Sequence, residues 1–244
     1  MGNIKLGVSL IIQVNDTYTF RPVTSGNIKI YTDMGRQAIS KGNGIFVFTN
    51  LSAGKYRMFI ESDIFQDSYG EFEIIENNIE TVHLWLIPDY KYDLLNNSAI
   101  VRGKSLMNNN ERYIAYKPYN DFLVLADAYK ANDKFIKILH NQNLSYQGME
   151  LIINDNQKIK MGEMTVRNNF CEYLLYEPLE IDIDKSNSSI EVCFSLPDSE
   201  IYFPVREIPK EGLLVRFVNG KRMEKLVLQR NKETIINILE DKSI

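Results

Sequence analysis

Gly42-Asn43-Gly44-Ile45-Phe46-Val47-Phe48-Thr49-Asn50-Leu51-Ser52-Ala53-Gly54-Lys55-Tyr56 decides the fold class of this chain. It reads as a tight turn, a buried strand, a second turn and the start of another strand. Glycine reaches positive φ without steric cost, so Gly42, Gly44 and Gly54 read as turn-makers. The apolar run Ile45–Phe48 fits a strand inside a sheet, with Phe46 and Phe48 packing on one face. Gly42-Asn43-Gly44 also spells Gly-x-Gly, but it precedes a strand, whereas a phosphate cradle needs a helix N-terminus there. Further on, Tyr56, Met58 and Ile60 share one face while Arg57, Phe59 and Glu61 share the other. That alternation is a half-buried strand.

Outward from this stretch, short apolar runs alternate with Asn, Asp, Gly and Ser, the pattern of an all-β protein. Strands are expected over 7–14, 27–32, 44–49, 54–62, 70–75 and 81–87. Their spacing suits an Ig-like sandwich. Pro88 ends the last of them, because proline has no backbone donor. A first domain over 1–90, a linker over 91–98 and a second β-rich domain over 99–244, sandwich or barrel, follow. In the second domain strands are expected over 99–104, 122–128, 133–139, 148–153, 158–166, 171–175, 190–194, 213–218, 223–228 and 234–239. Asn219-Gly220 between apolar runs is a strong hairpin signal. Asp121–Tyr129 is the best candidate for a short helix.

Composition bounds the function. The 244 residues are 44% hydrophobic and 25% charged, which places the chain among ordinary globular proteins. A formal net charge of −4 argues against nucleic acid as the main partner. No run approaches the ~20 apolar residues of a membrane-spanning helix. The run Leu6–Ile12 resembles a short signal segment but lacks a small-residue cleavage site, so it reads as the first strand. Synthesis in the cytoplasm follows, with later incorporation into a particle as one outcome.

The residues Arg21-Pro22-Val23, Gly26–Tyr31, Lys41–Leu51 and Gly54-Lys55-Tyr56 give residues 7–87 a resemblance to a known group. That group is the carboxypeptidase-regulatory-like, or transthyretin-like, small β-sandwiches. The resemblance implies a sandwich and no particular function, since such domains decorate unrelated proteins. Leu125–Ile138, Gly148–Ile153, Met164-Thr165-Val166 and Tyr176-Glu177-Pro178-Leu179 are similar to a β module of phage-tail and contractile-injection particle proteins. That second resemblance implies a structural component of an assembly.

Chemistry-bearing residues are few. Cys171 and Cys193 lie in strand-like text and read as buried thiols, with a disulfide between neighbouring strands as the alternative. His83, beside Trp85 on one strand face, reads as a surface or interface imidazole, and His140 as a turn residue. Asp182 and Asp184 share a strand face, near Glu177 and Glu180. Clustered carboxylates suit a hard cation, yet no calcium-loop pattern accompanies them, and a solvated face is the simpler reading. Asn154-Asp155-Asn156 reads as a turn. No cofactor or nucleophile motif appears.

Aromatic residues are the better candidates for binding. Tyr113, Tyr116 and Tyr119 surround Pro118, and Tyr202, Phe203 and Arg206 surround Pro204 in an analogous loop. Such side chains bring large contact area at low entropic cost. These six residues are the expected partner-binding set. The leading reading is a non-catalytic structural or adaptor protein, contacting other proteins of an assembly or its own copies. A carbohydrate- or cell-surface-binding module is the alternative; it requires an aromatic platform on an exposed sheet face. A carboxylate-based hydrolase is third and requires two carboxylates roughly 5–9 Å apart in a cleft.

Overall fold

In the computed structural model, Asn43 and Gly44 form a two-residue hairpin loop with φ of 50° and 73°. Both positive values suit the right-handed twist of the strands they join, Ile39–Gly42 and Ile45–Thr49. The structure describes residues 7–76, 78–104, 112–118, 123–139, 145–154, 157–167, 169–186, 188–196, 200–219 and 222–237. All regular structure among them is β. The chain divides into two compact units, 1–93 and 94–244.

The first unit contains β1 (Val8–Asp16), β2 (Arg21–Pro22), β3 (Lys29–Thr32), β4 (Ile39–Gly42), β5 (Ile45–Thr49), β6 (Gly54–Glu61), β7 (Ser68–Ile74) and β8 (Glu80–Leu86). One sheet is built on β1, which pairs antiparallel with β5 and parallel with β8. β4 continues that sheet beyond β5, and β2 pairs with the end of β1. The second sheet runs β3-β6-β7. Side-chain alternation then assembles the core. Leu10, Ile12 and Val14 of β1 and Phe46 and Phe48 of β5 meet Ile30, Tyr56, Met58, Ile60, Phe72 and Ile74 from the opposite sheet. The rings of Phe48, Phe72 and Tyr56 stack in sequence, with centroids 6.0 and 5.5 Å apart.

The second unit contains β9 (Ala99–Lys104), β10 (Arg112–Tyr116), β11 (Val124–Leu125), β12 (Phe135–Leu139), β13 (Glu150–Ile153), β14 (Gln157–Val166), β15 (Cys171–Leu175), β16 (Ile190–Ser195), β17 (Glu200–Val205), β18 (Leu213–Asn219), β19 (Arg222–Leu228) and β20 (Glu233–Asn237). Nine strands form one sheet in the order β11-β12-β15-β14-β13-β16-β10-β18-β19. A three-stranded sheet, β17-β9-β20, completes the unit. β14 joins the two halves of the long sheet, because its first four residues pair with β13 and its later ones with β15. The register shifts between Met161 and Met164. A Cβ on Gly162, inside that bulge, would stand 2.8 Å from the Leu174 carbonyl oxygen.

Several expectations are corrected. No helix covers the described part of 121–129: Val124 and Leu125 form the short β11 against Leu139 and Ile138. Asp121 and Phe122 lie outside the described residues. The stretch read as a loop around Pro204 is β17, antiparallel to β9. Proline is tolerated there because β17 is an edge strand. Tyr113 and Tyr116 likewise lie on a strand, β10, between β16 and β18. Cys171 and Cys193 are free and buried. They sit on β15 and β16, with β14 and β13 between them. Strands ~4.8 Å apart place them too far from each other for a disulfide.

Candidate functional site

The burial pattern sorts the expected binding residues. Tyr116 and Phe203 are 2% and 0% exposed, so the reading of these two as contact residues is wrong. Their rings pack with Phe194 in the interior, Phe203 lying 6.4 Å from Tyr116 and 5.4 Å from Phe194. Tyr113 is half-buried on the opposite sheet face, over a small cluster of Ala115, Ile152 and Cys193. The Lys158 ammonium lies 5.1 Å from its ring centroid. Tyr202 is half-buried beside its cross-strand neighbour Arg102, whose guanidinium lies 5.2 Å from the ring centroid. Arg206 approaches Glu207 at 3.9 Å. Tyr119 lies outside the described residues.

The titratable groups are mostly engaged in structure. Asp182 accepts hydrogen bonds from the Lys130 ammonium at 2.7 Å and the Ala131 N–H at 2.9 Å. Those donors hold its carboxyl below the ordinary value. Asp184 caps the following turn, accepting from the Ser186 N–H at 3.0 Å. Glu177 and Glu180 border a cleft of about 390 Å³ with Glu150, Lys158, Lys160 and Tyr176. There Glu150 is paired with Lys158 at 2.8 Å, and the Lys160 ammonium sits 5.2 Å from the Tyr176 ring centroid. Among the described residues no group of three or more His, Cys, Asp or Glu is placed to hold a metal. His83 is half-buried on β8, and that burial lowers its pKa. His140, Asp155 and Asn156 lie outside the described residues.

Among the described residues Asp16 is the one deeply buried carboxylate, at 3% exposure. It accepts hydrogen bonds from the Tyr18 N–H at 2.8 Å, the Thr19 hydroxyl at 2.8 Å and the Tyr92 hydroxyl at 2.7 Å. Burial nonetheless holds its carboxyl above the ordinary value. Its role is structural: it fastens the turn after β1 to the segment following β8.

Three exposed apolar arrangements escaped the sequence reading. On the outer face of the nine-stranded sheet, Leu214 of β18 is directly opposite Val227 of β19. They are 51% and 53% exposed. Half-buried Val218 is opposite exposed Met223 farther along the hairpin, with Arg216 and Lys225 between the two pairs. Toward the other end of the sheet, exposed Phe135 of β12 is opposite exposed Leu174 of β15. Beside them the Lys137 ammonium lies 5.7 and 5.4 Å from the Phe135 and Phe170 ring centroids. In the first unit, Phe59 of β6 faces Tyr31 of β3 on one side and Tyr69 of β7 on the other. This aromatic row crosses the outer face of the three-stranded sheet. The cue was Phe59 sharing a face with Arg57 and Glu61. The missing information was register, which only strand pairing supplies.

No protein-family model and no curated protein matches the chain. The transthyretin-like and phage-tail resemblances therefore rest on the quoted residues alone. Among solved structures, the chain is similar to the TIE protein of Bacillus anthracis, at 9% identity and TM-score 0.29. That match covers 95% of this chain and 50% of that one, so the chain spans half the length of that neighbour. A variant of BcpA, the major pilin subunit of Bacillus cereus, is similar at 10% identity and TM-score 0.27, over 93% of this chain and 69% of that one. The shaft pilin SpaA of Lactobacillus rhamnosus GG is similar at 9% identity and TM-score 0.25, over 96% and 97%. Identities and TM-scores this low carry no argument about function; the chain itself is all-β.

Proposed function

We propose that this chain is a non-catalytic structural or adaptor protein that holds other proteins through the outer face of its nine-stranded sheet. The observation that carries the reading is the exposed cross-strand pair Leu214–Val227 on β18 and β19. A single exposed leucine is ordinary on a protein surface. Apolar residues in direct register form a continuous patch instead, and such patches mark interaction surfaces. β19 also ends the sheet among the described residues, which leaves one strand flank next to the patch. The Phe135–Leu174 pair adds a second apolar contact point on the same sheet. Two such points on one sheet suit a connector better than a one-sided binder. A place in a phage-tail-like or contractile-injection particle is the specific form of this reading, and other copies of the chain are its simplest partners.

The test is a photocrosslinking amino acid at position 214, combined with sedimentation of the purified chain. The expected result is a defined covalent product, with itself or with one partner, that is lost when Val227→Asp is added to the crosslinker-bearing chain. A chain that sediments as a monomer and gives no discrete crosslink from position 214 in native lysate overturns the proposal.

A further inference from the structure

The row Tyr31–Phe59–Tyr69 belongs to the other unit and suits a different ligand. β3, β6 and β7 place the three side chains side by side, one per strand, because each pair is in direct antiparallel register. Neighbouring strands lie ~4.8 Å apart, so the row is about 10 Å long. The Tyr31 and Phe59 rings stack, with centroids 5.5 Å apart and planes at 22°. Tyr69, at the sheet edge, is 74% exposed. The Tyr31 hydroxyl donates to the Glu61 carboxylate at 2.6 Å. That bond raises the phenol pKa, so the hydroxyl keeps its proton throughout the neutral range.

A polar rim borders the row. Along β6, Glu61 and Lys29 lie to one side, and Arg57 and Glu71, 3.5 Å apart, to the other. Shallow depressions continue in both directions. One is bordered by Asn27, Lys29, Glu61 and Asp63, the other by Asp33, Lys55, Arg57 and Glu71. The face therefore offers a short aromatic strip between two sets of hydrogen-bonding groups.

We infer that this face is a binding platform for a neutral oligosaccharide. The apolar C–H face of a pyranose ring packs against an exposed aromatic side chain, here chiefly Tyr69, with Phe59 and Tyr31 extending the apolar strip beside it. Sugar hydroxyls donate to carboxylates and accept from guanidinium groups, and hydrogen bonds to such charged groups are the stronger kind. Area argues against a protein occupant. A stable protein interface buries roughly 800 Å² per partner. Three rings of at most ~250 Å² each, two of them half-buried, fall well short. A protein would also have to desolvate the charged rim, at a cost its ion pairs do not recover. Charge selects the class of sugar. Glu61, Asp67, Glu71 and Glu73 are exposed around the row against Lys29, Lys55 and Arg57, so acidic glycans are disfavoured.

The experiment uses the full chain with cellohexaose, chitohexaose and maltohexaose as neutral probes and a polygalacturonate hexamer as the acidic control. Saturation-transfer NMR and calorimetry are the readouts. At least one neutral hexamer is expected to bind, with the acidic hexamer at least tenfold weaker. Tyr69→Ala should weaken that binding at least tenfold and Tyr69→Phe less than threefold. Tyr90→Ala, at an exposed tyrosine outside the row, should leave it unchanged. An unaltered thermal transition in Tyr69→Ala confirms that the variant is folded. The inference is overturned if none of the neutral hexamers binds, or if binding survives Tyr69→Ala. It is equally overturned if Tyr69→Ala dissociates a dimer seen without sugar, since the row would then be a protein contact. Failure of the Leu214 crosslink leaves this result untouched, because the two faces belong to different units.

Discussion

Replacing Gly44 by alanine should damage the first unit far more than replacing Gly42, although both glycines serve the same hairpin. Gly42 and Gly44 have φ of 84° and 73°. An L-residue in that region costs about 1–2 kcal/mol. A Cβ on Gly42 would have nothing within 4 Å, so Gly42→Ala should cost that conformational term alone. A Cβ on Gly44 would stand 2.3 Å from the Val14 carbonyl oxygen and 3.1 Å from the Val23 N–H nitrogen. Two hydrogen bonds depend on this approach. The Val14 N–H donates to the Gly44 carbonyl at 2.7 Å, and the Val23 N–H donates to the Val14 carbonyl at 3.0 Å. Relieving the clash must lengthen both, at about 1–3 kcal/mol for each buried group left unsatisfied. The expected losses are therefore about 1–2 kcal/mol for Gly42→Ala and about 3–8 kcal/mol for Gly44→Ala. The assay is urea unfolding of the full chain followed by tryptophan fluorescence. Trp85 is the single tryptophan and lies on β8, so the signal reports the first unit. The midpoint shift multiplied by the slope gives each loss. Equal losses for the two variants would refute the close-approach argument.

Three further outcomes follow from the same geometry. Because burial raises the folded-state pKa of Asp16, the folded unit holds that proton to higher pH than the unfolded chain does. The contribution of Asp16 to stability is then greatest below the ordinary carboxylate pKa and declines as pH rises through the folded value. Asp16→Asn should flatten that decline in tryptophan-monitored unfolding between pH 3 and 7 (roughly the carboxylate range); an unchanged slope contradicts it. Cys171 and Cys193 are buried and separated by two strands, so a thiol reagent should modify them only on the unfolding timescale. An intramolecular disulfide in a non-reducing mass spectrum would rule this out. Phe203→Ala should cost about 3–5 kcal/mol through the cavity left beside Tyr116 and Phe194. Tyr202→Ala, one residue away and half-buried, should cost less than half as much by far-UV circular dichroism; comparable losses would mean that β17 does not bury Phe203.

The strands of the first unit were legible because their apolar residues come in short runs or alternate, and their turns carry glycine or asparagine. Tyr56, Met58 and Ile60 all face the core, as their spacing requires. The second unit was less legible where alternation fails. In Tyr113-Ile114-Ala115-Tyr116 every residue is apolar or aromatic, because β10 lies between two strands and is covered on both faces. A tyrosine there looks like a surface anchor in the sequence and is a core residue in the fold. Pro204 misled in the same way: it suggests a loop, but β17 donates only on its paired side. β14 runs through a bulge into two partners, and nothing in Lys160-Met161-Gly162-Glu163 announces the change. The candidate sites were the least legible part. Tyr31, Phe59 and Tyr69 are far apart in the chain, and Leu214 and Val227 meet only through the register of one hairpin.

The two exposed faces differ in how much binding energy each can yield, and that difference separates their roles. An aliphatic pair such as Leu214–Val227 has no polar atoms and gains chiefly by leaving water, at ~25 cal/mol per Å² buried. It gains little from a solvated, hydroxyl-rich ligand, which leaves most of that surface wet. Its natural complement is another apolar protein surface, where burial on both sides adds together. The aromatic row has less apolar surface to bury, but its rings carry an electrostatic face and its rim carries fixed hydrogen-bonding groups. Those features reward a ligand that presents C–H bonds and hydroxyls in alternation. A substitution that removes area without charge, Leu214→Ala, should therefore weaken protein contact and leave sugar binding intact. Removing the rim guanidinium by Arg57→Gln should do the reverse, because Arg57 borders the aromatic row and belongs to the other unit from Leu214.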